Sequence, residues 1–150
     1  MKIGLISDTH GLVRPQALAA LAGAARIIHA GDIGGREVVE MLQSIAPVAA
    51  VRGNNDQDRW GRRLPPALTL ELGGLGIHVL HDLNELEEQA AAGCAVVVSG
   101  HSHKPAISER GGVLFVNPGS AGPRRFSLPV TLAWLEISAG RAQARIQPLL

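Results

Sequence analysis

The chain is short of cysteine, of aromatic residues and of net charge, and each shortage removes a class of protein. Cys94 is the only cysteine in 150 residues, so no intrachain disulfide can form and no oxidising compartment is implied. Tyrosine is absent and aromatic residues make up only 3% of the chain, which leaves Val, Leu, Ile and Ala to build the core. A net charge of +1 at pH 7, with the basic residues spread along the chain, gives no electrostatic footprint for extended nucleic acid. No stretch approaches the roughly 18 uncharged apolar residues that cross a bilayer. The opening run Met1 to Ile6 is too short for a signal peptide and leads straight into Ser7-Asp8. A cytoplasmic location without a membrane partner is therefore expected. What is present, 46% hydrophobic and 18% charged residues, suits an ordinary globular fold, and residues 1–150 read as one domain.

Ile3 to Ile6 reads as a buried strand that ends at Ser7-Asp8-Thr9-His10-Gly11. Pro15 opens an Ala/Leu-rich helix running to about Ala25, with proline in a tolerated first-turn position. Ile27-Ile28 form a second strand that breaks at Gly31-Asp32. Glu37 to Ile45 carries Val38, Met41, Leu42 and Ile45 at helical spacing. After Pro47, Val48 to Val51 make a third strand ending at Gly53-Asn54. This β-α-β-α-β order predicts parallel strands joined by right-handed crossovers. Farther on, Gly73-Gly74, Gly111-Gly112 and Ala139-Gly140 mark three hairpins. Asp82 is placed to cap a helix through Ala92, with Glu85, Glu87 and Glu88 near its positive end. Ala95 to Val98 is another buried strand, ending at Gly100-His101. The result is an α/β chain with two β-rich sheets and outer helices.

Asp, Asn and His residues gather at the ends of these strands. Asp8 and His10 follow the first, Asp32 the second and Asn54 the third. His81 ends the strand after the Gly-Gly hairpin, and His101 and His103 follow the next. In an open α/β sheet, ligands bind beyond the carboxyl ends of the strands, so five strand ends deliver oxygen and imidazole donors toward one rim. Each piece alone is weak, since an Asp-x-His or a Gly-Asp pair is usually just a turn. His29 and His78 lie within strands and are assigned a structural role and no role respectively. The combination differs from its parts. Mixed carboxylate, amide and imidazole donors suit Mn²⁺, Fe²⁺ or Zn²⁺, while the lack of thiolates argues against a structural zinc. There are more donors than one octahedral ion open to substrate needs, and two ions sharing a carboxylate fit better.

Asp8-Thr9-His10, Gly31-Asp32, Gly53-Asn54, His81 and Gly100-His101-Ser102-His103, in that order, resemble the calcineurin-like metallophosphoesterase superfamily. The segment Ser7-Asp8-Thr9-His10-Gly11 and the later Asn117-Pro118-Gly119-Ser120 resemble its small bacterial and archaeal phosphodiesterase subgroup. The resemblance implies a four-layer α/β/β/α sandwich. It also implies that Asp8, His10 and His103 hold one divalent ion, that Asn54, His81 and His101 hold the other, and that Asp32 bridges them. Manganese is the foremost candidate, with iron, nickel or zinc as other ions such a set accepts. The implied chemistry is hydrolysis of a small phosphoester by a bridging hydroxide, with Asp32, Asn54 and His10 closest to the reaction and diesters preferred to monoesters.

Many members of that superfamily carry histidine directly after Gly-Asn as a general acid. Here Asn55 occupies the position, and an amide cannot donate a proton in that way. Asp82 stands where the superfamily usually has glycine after the histidine and reads as a helix cap. Arg59, Trp60, Arg62 and Arg63 lie in the loop after Asn54, where they could grip a phosphate and stack a ring, or could form a solvated loop with Trp60 packed on the domain. Arg124 and Arg125 admit the same two readings, with phosphate contact favoured. A different class of function also fits: a protein-binding scaffold that keeps the fold without catalysis, as the metallophosphoesterase-like subunit of the retromer coat does. All seven donor positions are intact here, which favours the enzyme, and a homo-oligomer is compatible with either reading.

Overall fold

Two faces of the same strands build two separate apolar layers, which explains why short runs of Ile, Leu and Val dominate the chain. A computed structural model describes residues 1–150. β1 (Lys2–Ile6), β2 (Arg26–His29) and β3 (Val48–Ala50) are parallel, linked through α1 (Pro15–Ala20) and α2 (Arg36–Gln43). β9 (Thr131–Ser138) pairs antiparallel with β1, and β10 (Arg141–Pro148) with β9, giving a first sheet of order β10-β9-β1-β2-β3. The second sheet has order β4-β5-β6-β8-β7, made from β4 (Ala67–Leu72), β5 (Leu75–Leu80), β6 (Val96–Val98), β7 (Ala106–Arg110) and β8 (Val113–Asn117). All three expected hairpins are present: β4–β5, β7–β8 and β9–β10.

Alternation along the strands sorts the side chains. Ile3, Leu5, Ile28, Leu135 and Ile137 of the first sheet pack against Ile77, Val79, Val96, Val98 and Val116 of the second. The opposite face of the first sheet, with Ile6, Ile27, Leu132 and Trp134, takes Ala17 and Leu21 from the α1 region and Val38 and Leu42 from α2. The parallel register aligns Ile6 with His29 and His29 with Ala50. In the second sheet Val79, Val98 and Val116 align across β5, β6 and β8. Both sheets therefore bring the carboxyl ends of their three parallel strands to one edge of the sandwich.

The α/β/β/α arrangement is present with a thin fourth layer. No α-helix forms over Asp82 to Ala92. Asp82 caps as expected, its carboxylate accepting from the Asn84 N–H at 3.0 Å, but only a 3-10 turn at Leu83–Glu85 follows. Three glutamates close together repel one another, and the Ala90-Ala91-Ala92 stretch before Gly93 offers no wide apolar stripe to bury. A segment this short is not helical without tertiary packing. It still serves as the β5–β6 crossover, and Leu80 and Val97 on the outer face of the sheet are buried. α1 also stops earlier than expected, at Ala20, where the chain turns through Gly23 in a left-handed conformation. No helix is long and apolar enough to cross a membrane.

Candidate metal centre

Five of the six parallel strands that reach the common edge are followed by candidate ligands, and most of those ligands sit in sharp turns. Seven non-glycine residues have positive φ, and five of them are Asp8, His10, Asp32, His101 and His103. Asp and His tolerate this conformation better than most residues, yet it costs on the order of 1–3 kcal/mol each, and such strain collects where function holds it in place. Backbone bonds lace these turns together: Asp8 N–H to Gly31 O, His10 N–H to Asp32 O and Gly11 N–H to Ile33 O, all at 2.8–3.0 Å. Two motif glycines exist to admit the donors. A Cβ at Gly53 would collide with the Asp32 carboxylate, and one at Gly100 with Ser7 Oγ and Asp8.

Five of the seven expected ligands converge tightly. Asp8 Oδ1 lies 3.3 Å from His103 Nε2 and 3.9 Å from both His10 Nε2 and His81 Nε2. Asp32 Oδ2 lies 3.3 Å from His81 Nε2 and 3.8 Å from His10 Nε2. Two overlapping donor groups result, Asp8-His10-His103 and Asp8-Asp32-His81, which share Asp8. Asn54 and His101 sit at the exposed margin of this cluster. Asn54 Oδ1 accepts from His101 Nδ1 at 3.1 Å, and the His101 ring stands edge-on to His81 with centroids 5.1 Å apart.

The donors fit a cation on evidence internal to the site. Asp8 Oδ2 accepts from Ser7 Oγ at 2.7 Å and from the His101 N–H at 3.1 Å, whereas Asp8 Oδ1 is buried without a hydrogen-bond partner. His81 Nε2 is likewise buried and unpartnered, while its Nδ1–H donates to Ala30 O at 2.7 Å and so leaves Nε2 as the donor to the cluster. Buried polar atoms left in this way are costly unless something positive completes them. The electrostatics agree. Burial works against a charged Asp32, but the His81 contact and the Asn55 N–H outweigh it and hold the carboxyl below its usual range. Burial also opposes protonation of His81, yet the close Asp32 carboxylate, the bond to Ala30 and the charge of Asp8 raise its pKa. His103 shifts the other way, chiefly through burial and, beyond that, through the nearby Arg125 and His10, which oppose the pull of Asp8.

The two remaining histidines are structural. Thr9 Oγ1 donates to Ile33 O at 2.7 Å, so His29 Nε2–H donates to Thr9 Oγ1 at 3.0 Å, while His29 Nδ1 accepts the Gly31 N–H at 3.1 Å. Fully buried, His29 has its pKa lowered to about 3 by desolvation and by His81, and it stays neutral. His78 pairs with Thr69 at 2.9 Å, away from the cluster. Cys94 is buried, which pushes its thiol up and out of the reactive range.

Several residues at the site were not legible in the sequence. Asp56 is buried, and its carboxylate accepts three backbone N–H groups, Ile33 at 2.9 Å, Gly34 at 3.3 Å and Gly53 at 2.8 Å, tying the loop after β2 to the loop after β3. Its only signal was an acidic residue directly after Gly-Asn-Asn. Asp56→Ala leaves these donors without a partner and is expected to destabilise the fold by about 3 kcal/mol or more. For a domain of this size that is a fall of roughly 6–12 °C in the thermal midpoint, measured by circular dichroism. A fall of under about 2 °C would show that the staple carries no weight. Asn55 donates its N–H to Asp32 Oδ1 at 2.8 Å and its side-chain amide to Asp32 Oδ2 at 3.2 Å. With His10, His103, Arg124 and Arg125 it lines a cavity on one side of the cluster. Arg52 lines a second cavity, beside Asn54, His81 and His101. Arg59 lines neither of these, and its neighbour Trp60 packs on the helix-facing apolar layer, as in the second of the two readings of that loop.

Residues 1–140 match the family model of the calcineurin-like phosphoesterase superfamily domain. A protein of Methanothermobacter thermautotrophicus named as a probable metallophosphoesterase is 31% identical, the match covering 97% of this chain and 91% of that one. A phosphodiesterase of Methanocaldococcus jannaschii is 29% identical over 79% of this chain and 83% of its own length. The Vps29 of Entamoeba histolytica, solved in complex with zinc, has the same fold, with a TM-score of 0.75 and 23% identity over the whole of both chains.

Proposed function

The chain belongs to the calcineurin-like phosphoesterase superfamily, and we propose that within it this protein is a metal-dependent phosphodiesterase working on a small substrate. The observation that carries the reading is Asp8 Oδ1, buried without a hydrogen-bond partner, with the nitrogens of His10, His81 and His103 all within 3.9 Å. Such an arrangement is stable with a divalent cation and costly without one. Asp8, His10 and His103 would hold one ion, Asn54, His81 and His101 a second, and Asp32 would face both. Manganese is the first ion to try, with iron, nickel and zinc next. When bound, a pair of such ions supplies Lewis acidity that activates water and offsets charge on the phosphoryl oxygens.

The remaining parts follow from this chain's own side chains. Asn55 holds both oxygens of Asp32 through its N–H and amide, fixing the carboxylate that lies between His10 and His81. Arg124 and Arg125, which line a cavity with His10 and Asn55, would pair with a phosphate held at the cluster, and the separate cavity at Arg52 leaves room for a second cation. The preference for diesters draws support from the phosphodiesterase of Methanocaldococcus jannaschii and from the lack of a histidine at position 55.

A scaffold without catalysis has the likeness to Vps29 behind it, and because that protein is itself solved with zinc, metal content alone does not separate the two readings. Turnover does. Protein stripped with chelator and reloaded with Mn²⁺ is expected to hydrolyse bis(p-nitrophenyl) phosphate, and to lose that activity on renewed chelation. Stoichiometric metal uptake with no hydrolysis above the buffer rate would sink the enzyme in favour of the scaffold.

A further inference from the structure

A third cavity, of about 310 Å³, opens beside His101 and runs from the loop after β6 over β8 and β7. His101 and Asp82 border both this cavity and the one at Arg52, so the two adjoin at the metal rim. Its walls carry Lys104 and Arg110 against a single carboxylate, Asp82. The thin fourth layer leaves this face uncovered, and every residue of β7 is exposed. We propose that this cavity receives the ester substituent of the substrate, and that Lys104 and Arg110 select a substituent bearing a second phosphate.

Arg110 is held by its side chain and Lys104 by its backbone. Arg110 lies over the Phe115 ring at 4.1 Å, which fixes the guanidinium against an aromatic face while its N–H groups remain free to donate. Lys104 is positioned by a turn: its N–H donates to Ser102 Oγ at 3.2 Å, and Asn117 donates from Nδ2 to both Gly100 O and Ser102 Oγ at 3.0–3.1 Å. That network spends the Asn117 amide on the loop and leaves the Ser102 hydroxyl proton available at the cavity mouth. Two cations facing one acid favour an anion, and a volume of this size takes a small phosphorylated group rather than a macromolecule. A diester needs room for two substituents around the phosphate, and the cavity lined by Arg124 and Arg125 lies on the other side of the cluster.

This inference rests on the metal rim being the phosphoester site, so the test separates the two. Binding of thymidine 3′,5′-bisphosphate and thymidine 5′-monophosphate to the Mn²⁺-loaded protein is measured by calorimetry, alongside hydrolysis of bis(p-nitrophenyl) phosphate. The bisphosphate is expected to bind tenfold or more tightly, and the Lys104→Ala/Arg110→Ala double variant to bring the two affinities within about twofold. Equal affinities in the unaltered protein, or a preference that survives the double substitution, would overturn the subsite whether or not the diester is hydrolysed. No hydrolysis with a preference that depends on Lys104 and Arg110 would overturn the phosphodiesterase reading and leave the subsite standing. No affinity for either nucleotide in a protein that does hydrolyse the diester would overturn the subsite alone.

Discussion

Asp32→Ala is expected to cut turnover of an activated diester by at least about 10²–10³-fold at saturating Mn²⁺, the scale of losing one aligned electrostatic group, and further where metal is lost with it. Asp32 Oδ2 lies 3.3 Å from His81, with which it shares a donor group, and 3.8 Å from His10 of the other group. Removing it takes a ligand from one group and a near neighbour from the other. The substitution also strips acceptors from the Asn55 N–H and amide and leaves alanine at φ 56, so part of the effect could come through the fold. Asp32→Asn separates the causes. Asparagine adopts the left-handed conformation readily and still accepts from the Asn55 N–H, yet it carries no charge. It should keep the thermal midpoint within a few degrees and lose nearly as much activity as alanine. Near-normal turnover by either variant would defeat the shared-carboxylate arrangement.

Position 55 should decide which substrates are fast. With asparagine there, no side chain at that point can protonate the leaving group, so the rate should fall steeply as the leaving-group pKa rises. Activated aryl diesters should turn over readily and alkyl monoesters poorly. Asn55→His is expected to help the poor leaving groups most, by up to about 10²-fold, the lower end of what general acid catalysis is worth. The structure makes this substitution informative, because Asn55 lines the same cavity as His10, Arg124 and Arg125. A new imidazole would therefore sit beside Arg124 and Arg125, though it must also replace the amide contact to Asp32 Oδ2 at 3.2 Å. The rival account gives the proton to His10. Rates measured across a series of leaving groups distinguish them: a shallow dependence in the unaltered protein would favour His10 and defeat the expectation for Asn55.

The sequence was most readable where chemistry and turn geometry coincide. Asp8, His10, Asp32, His101 and His103 could be placed because strand ends show up as apolar runs broken by Gly, Asp and His, and the carboxyl edge of a parallel sheet is where ligands collect. The three hairpins were legible for the same reason, since two consecutive small residues admit the positive φ of a tight turn. Asp56 was not, because its three bonds go to backbone N–H groups on two loops brought together only by the fold. Lys104 and Arg110 carry no signal in the sequence, and only the pairing of β7 with β8 sets them along one cavity. The missing helix after Asp82 shows the limit of local signals. A good cap and acids in the first turn are present, but no apolar stripe exists to anchor them.

The pairing of the first strand with one of the last has a consequence for how the protein is made. β1 lies between β2 and β9, and Lys2 stands opposite Glu136, while the amino terminus bonds to Ile137 O at 2.9 Å. Asp8, the residue shared by both donor groups, receives bonds from His101 and Ser120. During synthesis the first strand therefore waits, without its antiparallel neighbour, until residues 131–138 have emerged. Contacts of such long sequence separation form slowly, because loop closure must precede any gain from the contact. The last hairpin supplies no candidate donor, so it acts on the cluster only by holding β1, and a cation that bound the folded cluster would favour that pairing by mass action.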